Sequence, residues 1–72
     1  MADVPALETF VAVAREGSVG RAALLLARTQ PSISARLLAL EEAWKTKLFR
    51  RHARGMALTP EGARLLPLAE AA

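Results

Sequence analysis

The sequence predicts a small, mainly α-helical domain, and three observations support this prediction. Of its 72 residues, 53% are hydrophobic, and most of these are Ala and Leu, which favour helices. Several segments place apolar residues at helical spacing directly after a capping residue. The chain contains no cysteine, so neither disulfide bonds nor a zinc–thiolate centre is expected to stabilise it.

The first predicted helix covers residues 4–16. Leu7, Phe10 and Val11 recur there at helical spacing. Gly17 suits the end of this helix, because glycine readily takes the left-handed conformation that closes many helices. The segment is therefore expected to pack one apolar face against the rest of the domain.

A second, short helix is predicted over residues 19–27. Ser18 precedes it, and a serine hydroxyl can accept from the free N–H groups of a first helical turn. The small Ala22 and Ala23 allow another helix to cross closely. Because only a tight connection separates this segment from the next helical pattern, the pair indicates a helix-turn-helix.

The third predicted helix, over about residues 30–44, is the most informative segment. Thr29 is suited to cap it, and its first turn accommodates Pro31. One side of the helix carries an apolar stripe, formed by Ile33, Leu37, Leu40 and Trp44. The other side of its first two turns offers hydrogen-bonding groups, as expected of a helix that enters the major groove of DNA.

After the third helix, the pattern predicts a two-stranded wing at about residues 49–58. Segments 48–51 and 56–59 show partial alternation and flank residues 52–55. Gly55 can supply the positive φ that a hairpin tip requires. Cationic residues are expected at this tip.

A final helix is predicted to begin after Thr59. Its start divides the chain into a DNA-binding domain of residues 1–58 and a segment of residues 59–72 that begins the linker helix. Thr59 can cap the helix, while Pro60 and Glu61 both suit its first turn. Pro67 is expected to kink or terminate it.

The distribution of charge is more informative than the net charge of +3. Residues 18–40 contain three arginines and no acid, and residues 45–54 contain five basic residues and no acid. A one-sided basic surface is typical of a protein that binds a polyanion. The alternative is an ordinary solvated face.

The motifs of other functional classes are missing from the sequence. No nucleophile is spaced with a base, no glycine-rich phosphate loop occurs, and His52 alone cannot form a metal site. We therefore expect no enzymatic activity, metal or cofactor. No apolar run is long enough to span a membrane, and the N-terminus does not read as a signal peptide, so an intracellular protein is expected.

Taken together, these residues resemble the N-terminal winged helix-turn-helix domain of LysR-type transcriptional regulators. The resemblance extends from Leu7 to Leu66, and it depends on many elements in one register. The matching elements are Leu7, Phe10, Gly17-Ser18, Ala22-Ala23, Leu26, Thr29-Gln30-Pro31-Ser32-Ile33-Ser34, Leu40-Glu41, Leu48-Phe49, Arg51, Arg54-Gly55, Leu58-Thr59 and Gly62.

The resemblance implies sequence-specific binding of double-stranded DNA by a homodimer, on an interrupted palindrome. The third helix would enter the major groove, the wing would reach the minor groove, and the last helix would be the linker through which protomers dimerise. A small-molecule effector would act only through a C-terminal domain absent from this chain, which is expected to end inside the linker helix. The resemblance also implies a cytoplasmic, nucleoid-associated prokaryotic protein.

The sequence departs from the family pattern in three respects. Trp44-Lys45 replaces the usual Leu-Gly, so either Lys45 adopts the left-handed conformation, at a cost of about 1 kcal/mol, or the helix ends differently. Ala35 stands where many members carry a basic residue. Leu38 occupies a position that is often polar.

We assign the predicted DNA contacts in two groups. The residues expected to contact bases are Gln30, Pro31, Ser34 and Arg54, with Arg54 in the minor groove. The residues expected to contact the DNA backbone are Ser18, Arg21, Arg28, Ser32, Arg36 and Arg51. For Gln30 and Ser34 the alternative is helix capping and solvent exposure, and for Arg51 it is an ion pair with Glu41 or Glu42.

Two alternative functions remain open at this point. A winged helix can serve as a protein-interaction module, with Leu38 and the basic face contacting an acidic partner. The chain could also belong to another winged-helix regulator family, such as the molybdate-responsive repressors.

Overall fold

The computed structural model describes residues 4–72, which form four helices and one two-stranded sheet. In chain order these elements are α1 (Val4–Glu16), α2 (Val19–Leu26), α3 (Gln30–Trp44), β1 (Phe49–His52), β2 (Gly55–Leu58) and α4 (Pro60–Ala71). The predicted mainly α-helical winged helix-turn-helix, followed by a further helix, is therefore confirmed.

The three predicted helix caps are confirmed. Ser18 Oγ accepts from the backbone N–H of Arg21 at 3.1 Å, and Thr29 Oγ1 accepts from that of Ser32 at 3.2 Å. Thr59 Oγ1 likewise accepts from the N–H of Gly62 at 3.0 Å. These side chains fix where α2, α3 and α4 begin.

Helix α2 ends at Leu26, one residue before the predicted end. Ala27 has a φ of 55°, in the left-handed region, and the chain turns there into the connection to α3. The N–H of Arg28 donates to Ala23 O at 2.9 Å and closes the last turn of α2.

Helix α3 ends through Lys45, which takes the left-handed conformation itself. Its φ and ψ are 55° and 42°, and the N–H of Thr46 donates to Glu41 O at 3.1 Å. The first of the two outcomes expected for this position is therefore the one observed. Lys45 supports a glycine-type helix stop despite its Cβ.

The wing pairs in antiparallel register, with Phe49 opposite Leu58 and His52 opposite Gly55. Its strands are shifted by one residue from the predicted segments 48–51 and 56–59, so Gly55 lies in β2 rather than in the loop. Thr59 serves as the cap of α4, so the second strand ends at Leu58.

The core is centred on Phe10, which is fully buried. The Phe10 ring makes edge-to-face contacts with Trp44, at a centroid distance of 6.1 Å, and with Phe49, at 5.7 Å. These contacts join α1 to the end of α3 and the start of the wing. The prediction that Trp44 belongs to the packed stripe is thereby confirmed.

Helix α4 packs against α1 and continues through Pro67 to Ala71. The expectation that Pro67 could terminate the helix was therefore wrong. Pro67 is exposed, whereas Ala69, beyond it, is buried at 7% exposure, so packing against α1 maintains the helix past the proline.

Candidate nucleic-acid interface

The N-terminal ends of α2 and α3 border one surface depression. Four of the ten residues predicted to contact DNA meet there, namely Ser18, Arg21, Arg28 and Gln30. They come from both helices and from the turn between them. The depression is completed by small or apolar side chains, those of Gly20, Ala23 and Leu24.

The start of α2 presents a positively polarised end to this depression. Backbone N–H groups of a first helical turn carry partial positive charge and can bind an anion such as a phosphate. Arg21 adds a guanidinium that is 73% exposed, and its Nε lies 3.5 Å from a carboxylate oxygen of Glu16. That exposed ion pair orients Arg21 weakly and leaves it accessible to a phosphate.

Gln30 lies against Gly20 across the depression. A Cβ placed on Gly20 would be 3.3 Å from Gln30 Nε2 and 3.7 Å from Ser18 Oγ. The carboxamide of Gln30 therefore occupies space that any other residue at position 20 would enter. Sequence reasoning missed Gly20, for which the one available signal was a glycine in the first turn of a helix.

The remaining polar residues at the start of α3 are distributed around the helix. Pro31 is exposed, while Ser32 and Ser34 are half-buried. Gln30 and Ser34 are one helical turn apart and share a face. This face leaves two hydrogen-bonding side chains available to a ligand in contact with α3.

Arg36 lies away from Gln30, beside the start of α1. It borders a second depression, which Pro5, Glu8, Thr9, Leu25, Leu26 and Arg28 also line. Arg28 borders both depressions and so links them. Arg36 is therefore half-buried, and the structure does not bring it together with Ser34 on one face.

The wing carries three exposed arginines. Arg50 and Arg51 are neighbours on β1, so their side chains leave opposite faces of the ribbon. Arg54 lies in the two-residue loop, where its backbone N–H donates to His52 Nδ1 at 3.1 Å. Arg50 was not among the predicted contacts, although its position in the basic segment was visible in the sequence.

The predicted alternative for Arg51, an ion pair with Glu41 or Glu42, was wrong. Glu41 Oε2 instead accepts from the backbone N–H groups of Leu48, at 2.7 Å, and Phe49, at 3.4 Å. Its other oxygen lies 3.8 Å from Lys47 Nζ. These nearer donors occupy the carboxylate, and Arg51 is left exposed on the wing.

The wing is fastened beside the start of α2. The N–H of Met56 donates to Gly17 O at 2.9 Å. Gly55 has a φ of 135°, and a Cβ there would overlap Gly17 O, so the contact requires glycine. This attachment places the loop end of the wing next to Ser18.

Five arginines of the helix-turn-helix and the wing make no ion pair with any residue in the range 4–72. They are Arg28, Arg36, Arg50, Arg51 and Arg54. The ion pairs that do form in that range involve Arg15, Arg21, Lys47 and Arg64. These five guanidinium groups therefore have no carboxylate within ion-pair distance among residues 4–72, although Glu8 lines the same depression as Arg28 and Arg36. Separately, none of the helices between residues 4 and 72 is long and apolar enough to cross a membrane.

Comparison with known proteins identifies similar sequences. The family described as "Bacterial regulatory helix-turn-helix protein, lysR family" matches residues 5–63. The HTH-type transcriptional regulator GltR of Bacillus subtilis is 41% identical over 68 residues, covering 94% of this chain and 23% of GltR. HdfR of Yersinia enterocolitica is 46% identical over 68 residues, again with 94% of this chain and 23% of HdfR covered. The chain thus spans 23% of the length of these two relatives.

Solved structures show the same fold. Oxidized OxyR of Corynebacterium glutamicum superposes with a TM-score of 0.95 and 38% identity, covering 99% of this chain and 22% of OxyR. The CbnR DBD–DNA complex gives a TM-score of 0.92 and 35% identity, covering 96% of this chain and 79% of that one. The complex of the BenM DBD with catB site 1 DNA gives a TM-score of 0.91 and 35% identity, covering 96% of this chain and 78% of that one.

Proposed function

The chain belongs to the lysR family of bacterial regulatory helix-turn-helix proteins and carries its DNA-binding domain, and from this we propose that it binds a specific double-stranded DNA site as a homodimer. The observation that carries the proposal is the convergence of Ser18, Arg21, Arg28 and Gln30 on one depression. A polarised helix end, two exposed guanidiniums and a carboxamide suit phosphates next to a base edge.

In this proposal α3 lies in the major groove with its first two turns against the bases. Gln30 would donate to and accept from one adenine, since a carboxamide matches adenine N6 and N7. Ser34 would reach the base edge or phosphate one helical turn further on. Pro31, exposed at the first turn, would contact a thymine methyl group.

Positively charged and hydroxyl groups around α3 would fix its position on the duplex. These backbone contacts are assigned to Ser18, Arg21, Arg28, Ser32, Arg36 and Arg51. Arg54 at the wing tip would enter the minor groove, where a narrow groove concentrates negative potential. These assignments are supported by the ion pairs among residues 4–72, none of which involves Arg28, Arg36, Arg51 or Arg54.

We propose that α4 contributes the dimer contact, on an interrupted palindrome. Leu68 of α4 is 68% exposed and so leaves apolar surface on that helix unburied. Two protomers related by a two-fold axis would place two copies of α3 on two half-sites. An effector would act through the additional length present in the longer relatives.

The test is selection of binding sites from random duplexes, followed by measurement of the mass of the complex. We expect an enriched palindrome, two protomers per duplex, and affinity that falls steeply with salt. A scrambled duplex of equal length is the control for nonspecific binding. A failure to enrich any sequence at low salt would reject DNA recognition and favour a protein-interaction module, whereas an enriched site bound by one protomer would reject only the dimer.

A further inference from the structure

Helix α3 exposes an apolar line on the side away from the core. Pro31, Ala35 and Leu38 are spaced four and three residues apart, which aligns them along the helix. All three are exposed, and Leu38 is 58% exposed. Ile33 and Leu37 lie on the opposite side and are buried. The exposed line is therefore distinct from the stripe that packs α3 onto the domain.

The surroundings of this line are polar and of mixed charge. Gln30 and Ser34 lie beside its start, and Leu38 borders a depression that Glu41, Glu42, Lys45, Thr46 and Lys47 also line. An apolar line beside hydrogen-bonding side chains fits a ligand that offers polar edges together with an apolar group. Duplex DNA does so in its major groove, through the C5-methyl of thymine.

We propose that Leu38 is a specificity-determining residue that recognises the methyl group of a thymine. The inference rests on the proposed insertion of α3 into the major groove. Leu38 has no hydrogen-bonding group, so it can discriminate only by contact with apolar atoms. Ala35, one turn before it, has a small side chain that permits close approach of the helix. From Pro31 to Leu38 the helix rises about 10 Å, which corresponds to roughly three base-pair steps.

The test compares thymidine with deoxyuridine, since their bases differ only by this methyl group. After a preferred duplex has been selected, each thymine in it is replaced in turn by deoxyuridine and the affinity of the wild-type chain is measured. Loss of one buried methyl contact should weaken binding about fourfold at the position that Leu38 reads, the equivalent of ~0.8 kcal/mol. Replacement outside the α3 footprint should change nothing.

Variants then assign the effect to one side chain. Leu38→Ala should bind the thymine and deoxyuridine duplexes equally at that position, whereas Leu38→Met, which keeps an apolar side chain of similar volume, should retain the difference. Leu25→Ala is the matched control, because Leu25 is 60% exposed on α2 and lies in the depression beside α1. Leu25→Ala should also bind the thymine duplex more tightly than the deoxyuridine duplex, as the wild type does. Far-UV circular dichroism confirms that each variant is folded.

Two results would overturn the inference. One is a selected duplex in which no thymine can be distinguished from deoxyuridine. The other is a set of thymine preferences that is the same in Leu38→Ala as in the wild type. Either result leaves DNA recognition intact if the duplex is still bound in preference to its scrambled version. A failure to select any duplex would reject this inference together with the proposed function.

Discussion

The carboxylate of Glu41 on α3 accepts a hydrogen bond from the backbone N–H of Leu48 at 2.7 Å, and Leu48 lies seven residues further along the chain. The same oxygen also accepts from Phe49, the first residue of the wing. One partly buried carboxylate therefore ties the last turn of α3 to the start of β1. Because Phe49 also contacts Phe10, the bond fixes the wing relative to the core as well as to α3.

Replacing Glu41 by Ala should destabilise the domain by about 1.5–3 kcal/mol, because two backbone donors lose a charged acceptor. For a chain of this size, each kcal/mol corresponds to a fall in Tm of about 4–8 °C. Thermal unfolding followed by circular dichroism measures the change. Glu42→Ala is the control, since Glu42 is the exposed neighbour and makes no ion pair with residues 4–72. Equal effects of the two substitutions would contradict the assigned role of Glu41.

Replacing Lys45 by Gly should stabilise the domain by about 1 kcal/mol, because glycine adopts the left-handed conformation without a Cβ penalty. Chemical denaturation gives the free energy of unfolding. Lys45→Ala separates conformation from charge, since alanine retains the Cβ and should give no such gain. If Lys45→Ala stabilises as much as Lys45→Gly, the benefit comes from removing the charge.

Replacing Gln30 by Ala should relax specificity at one base pair, at a cost of roughly 1–3 kcal/mol in the affinity for the preferred duplex. The measurement compares the preferred duplex with duplexes changed at single positions. Binding to a scrambled duplex should stay nearly the same, because the phosphate contacts remain. An unchanged ratio of preferred to scrambled affinity would show that Gln30 does not read a base.

Replacing Gly20 by Ala should have opposite effects on stability and on recognition. Alanine favours a helix by about 0.5–1 kcal/mol over glycine, so the free energy of unfolding should rise. The new Cβ would press on the carboxamide of Gln30 from 3.3 Å and displace it, so discrimination at the Gln30 base pair should fall. In a Gln30→Ala background the same substitution should leave specificity unaffected. A loss of specificity that persists in that background would show that Gly20 acts independently of Gln30.

Replacing Arg54 by Ala should weaken binding to most sequences and lower the salt dependence by about one released counterion. Affinity measured over a series of salt concentrations gives this slope. Arg64→Ala is the matched control, because Arg64 on α4 is 72% exposed and lies 3.9 Å from Glu61. It should leave the slope unchanged. If the affinity of Arg54→Ala falls with salt as steeply as that of the wild type, Arg54 does not contact the DNA.

The features that the sequence predicted well are those encoded locally. Ser18, Thr29 and Thr59 cap helices through bonds to residues three positions later, so neighbouring residues alone define these helix starts. The apolar stripe of α3 was visible for the same reason, since its period follows the helix. Lys45 was also recognised as the unusual stop, although only the structure decides between its two outcomes.

The features that escaped prediction depend on contacts between distant elements. The partners of Glu41 follow from where β1 starts in space, whereas the sequence suggested only an alternative ion pair with Arg51. Helix α4 passes Pro67 because α1 supports it from the side, which local propensity does not capture. The closeness of Gly20 to Gln30 arises from the crossing of α2 and α3, so no pattern along either helix shows it.

The attachment of the wing has a consequence for how such a domain diversifies. The bonds from Met56 to Gly17 and from Phe49 to Glu41 use backbone N–H groups of the wing, and none of its exposed side chains. The side chains of the loop residues Ala53 and Arg54 take no part in this attachment. Substitutions at these two positions are therefore compatible with an unchanged scaffold.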